Sequence, residues 1–196
     1  MAQQSWVNLL NAGSPWQTAQ GATLSTAATA TISPQAPTTQ DFVLPGQPNG
    51  LQWYAGMQLR LRARGVLTTG ATTTSLTLFP ALGVSGTLAT TLCTTPAVVL
   101  GATTLTALAW YMDADITCTA LGSTGNTLIS DGILSMSDTT ANGGALVTAN
   151  TCTVALPFAT TAFNTYTAAT AIGLRGTLSA AFGSIICNRF TVEQVS

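Results

Sequence analysis

Apolar and polar residues alternate most regularly between Met57 and Gly65. Met57, Leu59, Leu61 and Ala63 fall on one face of a period-two strand, and Gln58, Arg60, Arg62 and Arg64 fall on the other. That is the pattern of a half-buried strand whose wet face carries a row of arginines, and Gly65 and Gly70 flank the bend expected after it. A second run, within Leu105 to Ala120, alternates in the same way. Met112, Ala114, Ile116 and Cys118 share one face, while Tyr111, Asp113, Asp115 and Thr117 share the other. The row of arginines thus has a counterpart with two aspartates.

Weaker alternation predicts further strands. Ala22 to Ile32 reads as a first strand, and Phe42 to Leu44 as a short one before the turn Pro45 to Gly50. Thr72 to Leu82 alternates again, and Thr87 to Leu100 reads as two short strands separated at Pro96. Gly122 to Asn126 forms a hairpin connection, with Thr127 to Ser137 as the returning strand. Cys152 to Leu156 ends at Pro157, and Phe158 to Thr167 reads as a loop. Ala169 to Ala181 and Ile185 to Val195 read as a last hairpin about Phe182-Gly183-Ser184, with Ile186, Phe190 and Val192 facing the core. No segment carries a helical period. Turn signals recur about every 10 residues, which predicts an all-β, jelly-roll-like β-sandwich of 8–10 strands. The expected division is an N-terminal arm and connector over 1–40, containing the strand at 22–32, and a sandwich domain over 41–196.

Composition narrows the function. The chain has 196 residues, of which only 6% are charged; it has no His, and all five cations are Arg. Threonine, nearly a fifth of the chain, is β-branched and suits a pleated surface. With a net charge of -1 and no Lys the chain lacks the cationic surface that phosphate neutralisation needs, so nucleic acid is not an expected partner. Glycine and proline interrupt the uncharged stretch from Val66 to Met112, so no spanning helix forms, and no aromatic girdles mark an outer-membrane barrel. Without His, a catalytic triad or a metal site lacks its usual central residue, and Asp113 and Asp115 lie side by side rather than across a cleft. Asp131 and Asp138 look like turn and strand-end residues. The expectation is a protein without enzymatic activity and without a cofactor. Cys93, Cys118, Cys152 and Cys187 form no C-x-x-C pair and read as small buried thiols, two disulfides being the other reading.

Two sites stand out. Adjacent arginines about 6.6 Å apart repel by only about 0.6 kcal/mol in water. The row is therefore either a solvated face or an interface that holds carboxylates with planar, two-pronged donors. Asp113 and Asp115 are the first choice of partner, within one subunit or across an interface. The second site is the arm, where Trp6, Leu9, Leu10 and Trp16 are large anchors that dock on the domain or on a partner.

Several of these stretches carry a likeness. Trp6-x-x-Leu9-Leu10, Phe42 to Pro45, Gly56 to Gly65 with Thr68-Thr69, Leu76 to Phe79, Trp110 with Asp113 and Ile116 to Cys118, and Gly122 to Gly125 together resemble structural proteins of tailed bacteriophages. The nearest group is the capsid decoration, or minor capsid, proteins of phages infecting actinobacteria. The resemblance implies a virion protein made in the host cytoplasm and placed on the outer capsid surface. There it would sit as a homotrimer that cements neighbouring major capsid protein subunits. The alternative is a tail-fibre or baseplate jelly roll that recognises a host receptor or glycan, with Trp53, Tyr54, Phe163 and Tyr166 as aromatic platforms.

Overall fold

The computed structural model describes residues 8–9, 21–33, 42–44, 53–84, 87–101, 104–122, 125–137, 151–163 and 170–195. Among them there is no helix. Twelve strands run in chain order: β1 (Asn8–Leu9), β2 (Thr29–Thr31), β3 (Phe42–Leu44), β4 (Gln58–Thr68), β5 (Thr74–Val84), β6 (Thr87–Thr91), β7 (Val98–Leu100), β8 (Leu108–Ala120), β9 (Asn126–Ser137), β10 (Thr151–Phe163), β11 (Thr170–Leu178) and β12 (Ser184–Gln194). They form two antiparallel six-stranded sheets packed as a jelly-roll-like sandwich. One has the order β1-β12-β4-β8-β9-β10; the other has the order β2-β11-β5-β6, with β3 also on β11 and β7 also on β5.

The alternation explains the packing. Leu59, Leu61 and Ala63 of β4, with Met112, Ala114, Ile116 and Cys118 of β8, are almost wholly buried on the inner face of the first sheet. They meet Leu76 and Leu78 of β5 and Leu174 and Leu178 of β11 in one core that spans both sheets. Residues 21–33, expected to belong to the arm and connector, are part of this sandwich. Leu24 bridges to Ile185, and Leu24 and Ile32 are in the core.

The chain crosses between sheets after β1, β3, β4, β7, β10 and β11, and hydroxyls replace lost ladder bonds at the crossings after β4, β7 and β11. Buried Thr69 donates its backbone N–H to the Leu105 carbonyl at 2.9 Å, and its Oγ1 accepts from the Leu105 N–H at 2.7 Å. Oγ1 of Thr74 likewise accepts from the Ala180 N–H at 3.0 Å, and Oγ of Ser179 accepts from the Ser75 N–H at 2.9 Å. A buried N–H without a partner is costly, so these short polar side chains suit segments that leave one sheet for the other.

Four expectations are corrected. The last two strands do not form a hairpin: β11 pairs with β5, β12 pairs with β4, and 179–183 is a crossing between sheets. Ile186 faces outward, because a bulge between Cys187 and Arg189 reverses the alternation; Phe190 and Val192, beyond it, are buried. Gly65 does not end its strand, since β4 continues to Thr68. Phe158 to Phe163 is strand rather than loop, because a bulge between Leu156 and Ala159 absorbs Pro157. Pro80 also sits inside a strand. It occupies the gap between the stretches of β5 paired with β7 and with β6, where the missing N–H removes no ladder bond.

Candidate functional site

The outer face of the first sheet gathers the arginine and aspartate rows. Antiparallel register sets Arg60 opposite Asp115 and Arg62 opposite Asp113, with Arg64 opposite Tyr111. Nε of Arg60 donates to Oδ1 of Asp115 at 2.9 Å, and its Nη2 donates to Oδ2 at 3.3 Å, a two-pronged pair. Nε of Arg62 donates to Oδ2 of Asp113 at 3.3 Å, and its Nη1 reaches both Glu193 carboxylate oxygens at 3.5 Å. The Tyr111 hydroxyl donates to Oδ2 of Asp113 at 2.6 Å. The Arg64 guanidinium lies over the Tyr111 ring, 5.1 Å from its centroid.

The sequence-predicted row and its counterpart are therefore joined inside one subunit. The chemistry is that of a half-exposed ladder: side-chain exposures are 34% for Arg60 and 49% for Asp115, so each pair adds only about 0.2–1 kcal/mol. The hydrogen bond to Asp115, with that carboxylate's charge, holds the Arg60 guanidinium above its ordinary pKa. Burial, then the bond to Asp113, raises the Tyr111 phenol. These groups are locked to one another and fixed against the sheet, an arrangement for rigidity rather than for proton transfer.

Glu193 escaped the sequence reading because the bulge in β12 conceals its alternation. Asp131 looked like a turn residue because a glycine follows it, yet it lies in the middle of β9, directly opposite Asp115. A Cβ on Gly132 would come within 2.3 Å of the Asp113 carbonyl, so glycine here serves a close strand approach rather than a bend. Asp138, Tyr166 and the arm anchors Trp6, Trp16 and Leu10 lie outside the described residues. Of the arm, the backbone of Asn8 and Leu9 pairs with Gln194 and Glu193 at the edge of β12.

Of the aromatic platform candidates, Trp53 and Phe163 are buried, while Tyr54 is exposed and its hydroxyl accepts from Nε2 of Gln194 at 3.1 Å. The large exposed apolar residues of the first sheet lie elsewhere. Ile133 is 44% and Phe158 is 65% exposed, on the two neighbouring strands β9 and β10.

Cys93, Cys118 and Cys187 are free, buried thiols. Burial pushes Cys93 up to about 11 and Cys187 to about 12, so they are inert packing groups at neutral pH. Among the described residues no three or more His, Cys, Asp or Glu side chains are grouped to hold a metal ion. No protein-family model and no curated protein matches the chain.

Proposed function

We propose that this chain is a virion structural protein, a capsid decoration protein that binds the outside of a phage head as a trimer and cements neighbouring major capsid subunits. The observation that carries the reading is the outer face of the first sheet. Its charges are largely matched within the subunit, and beside them stand Ile133 and Phe158, the latter 65% exposed at a strand bulge. An exposed aromatic that the core does not use is typical of protein contact surfaces. The near absence of charge elsewhere suits a chain that works against other subunits. The specific assignment to a phage head rests on the resemblance of its strand and turn motifs.

The tail-fibre reading has less behind it, since two of its four platform aromatics are buried in the core. The deciding measurement is the position of the protein on purified particles by electron microscopy. Trimeric density on the outer head surface is expected. Density at the tail tip, or virions that lack the protein, would sink the proposal. Removing Met1 to Gln20 is expected to release the protein from heads, and unchanged attachment would take the arm out of the contact.

A further inference from the structure

The outer face of the first sheet leaves two like-charge couples that the ladder does not resolve. Arg189 on β12 stands opposite Arg64 on β4, and Asp131 on β9 stands opposite Asp115 on β8. Like charges directly opposed across strands are destabilising. The inner member of each couple is engaged, Arg64 over Tyr111 and Asp115 with Arg60. The outer members, Arg189 and Asp131, are both exposed and make no ion pair among the described residues. Both lie toward the ends of one sheet, Arg189 on the β12 side and Asp131 on the β10 side.

Bulges sharpen the contrast. The bulge in β12 lies between Cys187 and Arg189, and the bulge in β10 sets Pro157 and Phe158 against Asp131. A bulge inserts one residue and re-aims side chains. One side of the sheet thus offers a lone guanidinium, and the other offers a lone carboxylate beside an exposed ring. A guanidinium satisfies both, with two donors to the carboxylate and its plane over the ring. Pro157 and its bulge also interrupt β10 as a template for simple strand addition, so a side-chain contact is favoured there over backbone pairing.

We infer that Arg189 of one copy docks on Asp131 and Phe158 of a second copy of this chain. The two patches are taken head-to-tail, Arg189 of each copy on the next, an arrangement that forms a ring when the rotation between copies closes. That the ring has three members rests on the reading proposed above. The contact also removes each copy's like-charge stress, since Arg189 and Asp131 then face an opposite charge.

The test is a charge exchange on the full chain, followed by sedimentation at one fixed concentration and moderate salt. Wild type is expected as a trimer. Asp131→Arg and Arg189→Asp are each expected to weaken association tenfold or more, and the variant carrying both is expected to regain it. Each single change relieves a repulsion within the monomer, so its thermal midpoint should stay level or rise, which separates lost contact from lost folding. A monomeric wild type, single variants that assemble as well as wild type, or a double variant that stays apart would each overturn the contact. Particle location is read separately. A protein found at the tail whose charge exchange restores assembly overturns the head assignment alone, and a head protein whose single variants assemble normally overturns this contact alone.

Discussion

Arg62 is held between two carboxylates from the strands on either side, Asp113 of β8 and Glu193 of β12. Because both belong to the same subunit, Arg62→Gln should act on the monomer. A loss of about 1 kcal/mol or less in denaturant unfolding is expected, with no change in association state by sedimentation. Tyr111 gives a pH signature. Its phenol is raised by burial and by the bond to Asp113, so the folded state holds that proton more tightly than the unfolded chain. The stabilisation is complete below the ordinary phenol value of about 10 and is lost as pH rises through the higher folded value. Cys93 and Cys187, at about 11 and about 12, act in the same direction from about pH 8.5 upward. Unfolding midpoints should therefore fall on the alkaline side, and Tyr111→Phe should flatten the part of the fall above pH 10. Alkylation at pH 8 followed by site-resolved mass spectrometry should leave Cys93 and Cys187 unmodified in the native protein and label them in denaturant.

At the scale of elements, the pairing of β4 with β8 was legible because both strands alternate without interruption and bury one clean face. Burial of both apolar faces allows registers that differ by two residues, and the one adopted sets Arg60 against Asp115 and Arg62 against Asp113, so that the charge rows match. The reading failed where the backbone departs from regular pleat. The β12 and β10 bulges reverse or extend an alternation without a sequence mark as plain as a turn. The connection at 179–183 carries Gly183 like a hairpin, yet that glycine serves a close approach: a Cβ there would lie 2.1 Å from the Thr68 carbonyl. Gly65 is similar. A Cβ would come within 1.9 Å of the Ile186 carbonyl and 2.7 Å of the Trp110 ring, whose Nε1 donates to that same carbonyl at 3.2 Å. Gly65→Ala is expected to cost at least the roughly 1–3 kcal/mol of an overpacked core, measured as a fall in unfolding midpoint. At the crossing, Thr69→Val keeps the shape but takes the partner from the Leu105 N–H, for a loss of about 1–3 kcal/mol.

For the molecule as a whole, folding and function place different demands on the same sheet. Its inner face is closed by apolar side chains from both layers, and the ladder across β12, β4 and β8 stiffens the outer face, so the monomer carries its own core. Phe158 lies outside that economy: it is 65% exposed and absent from the core, so an isolated fold gains little from it. Phe158→Ser should accordingly leave monomer stability within about 0.5 kcal/mol, or improve solubility by removing an exposed ring. If the outer face is a contact between subunits, the same substitution should weaken assembly strongly, since exposed aromatics near an interface centre hold a large share of binding energy. Unfolding and sedimentation of the one variant therefore separate the two demands. Unchanged stability with lost assembly assigns Phe158 to a partner, whereas a stability loss above about 1 kcal/mol with assembly intact would return it to the fold.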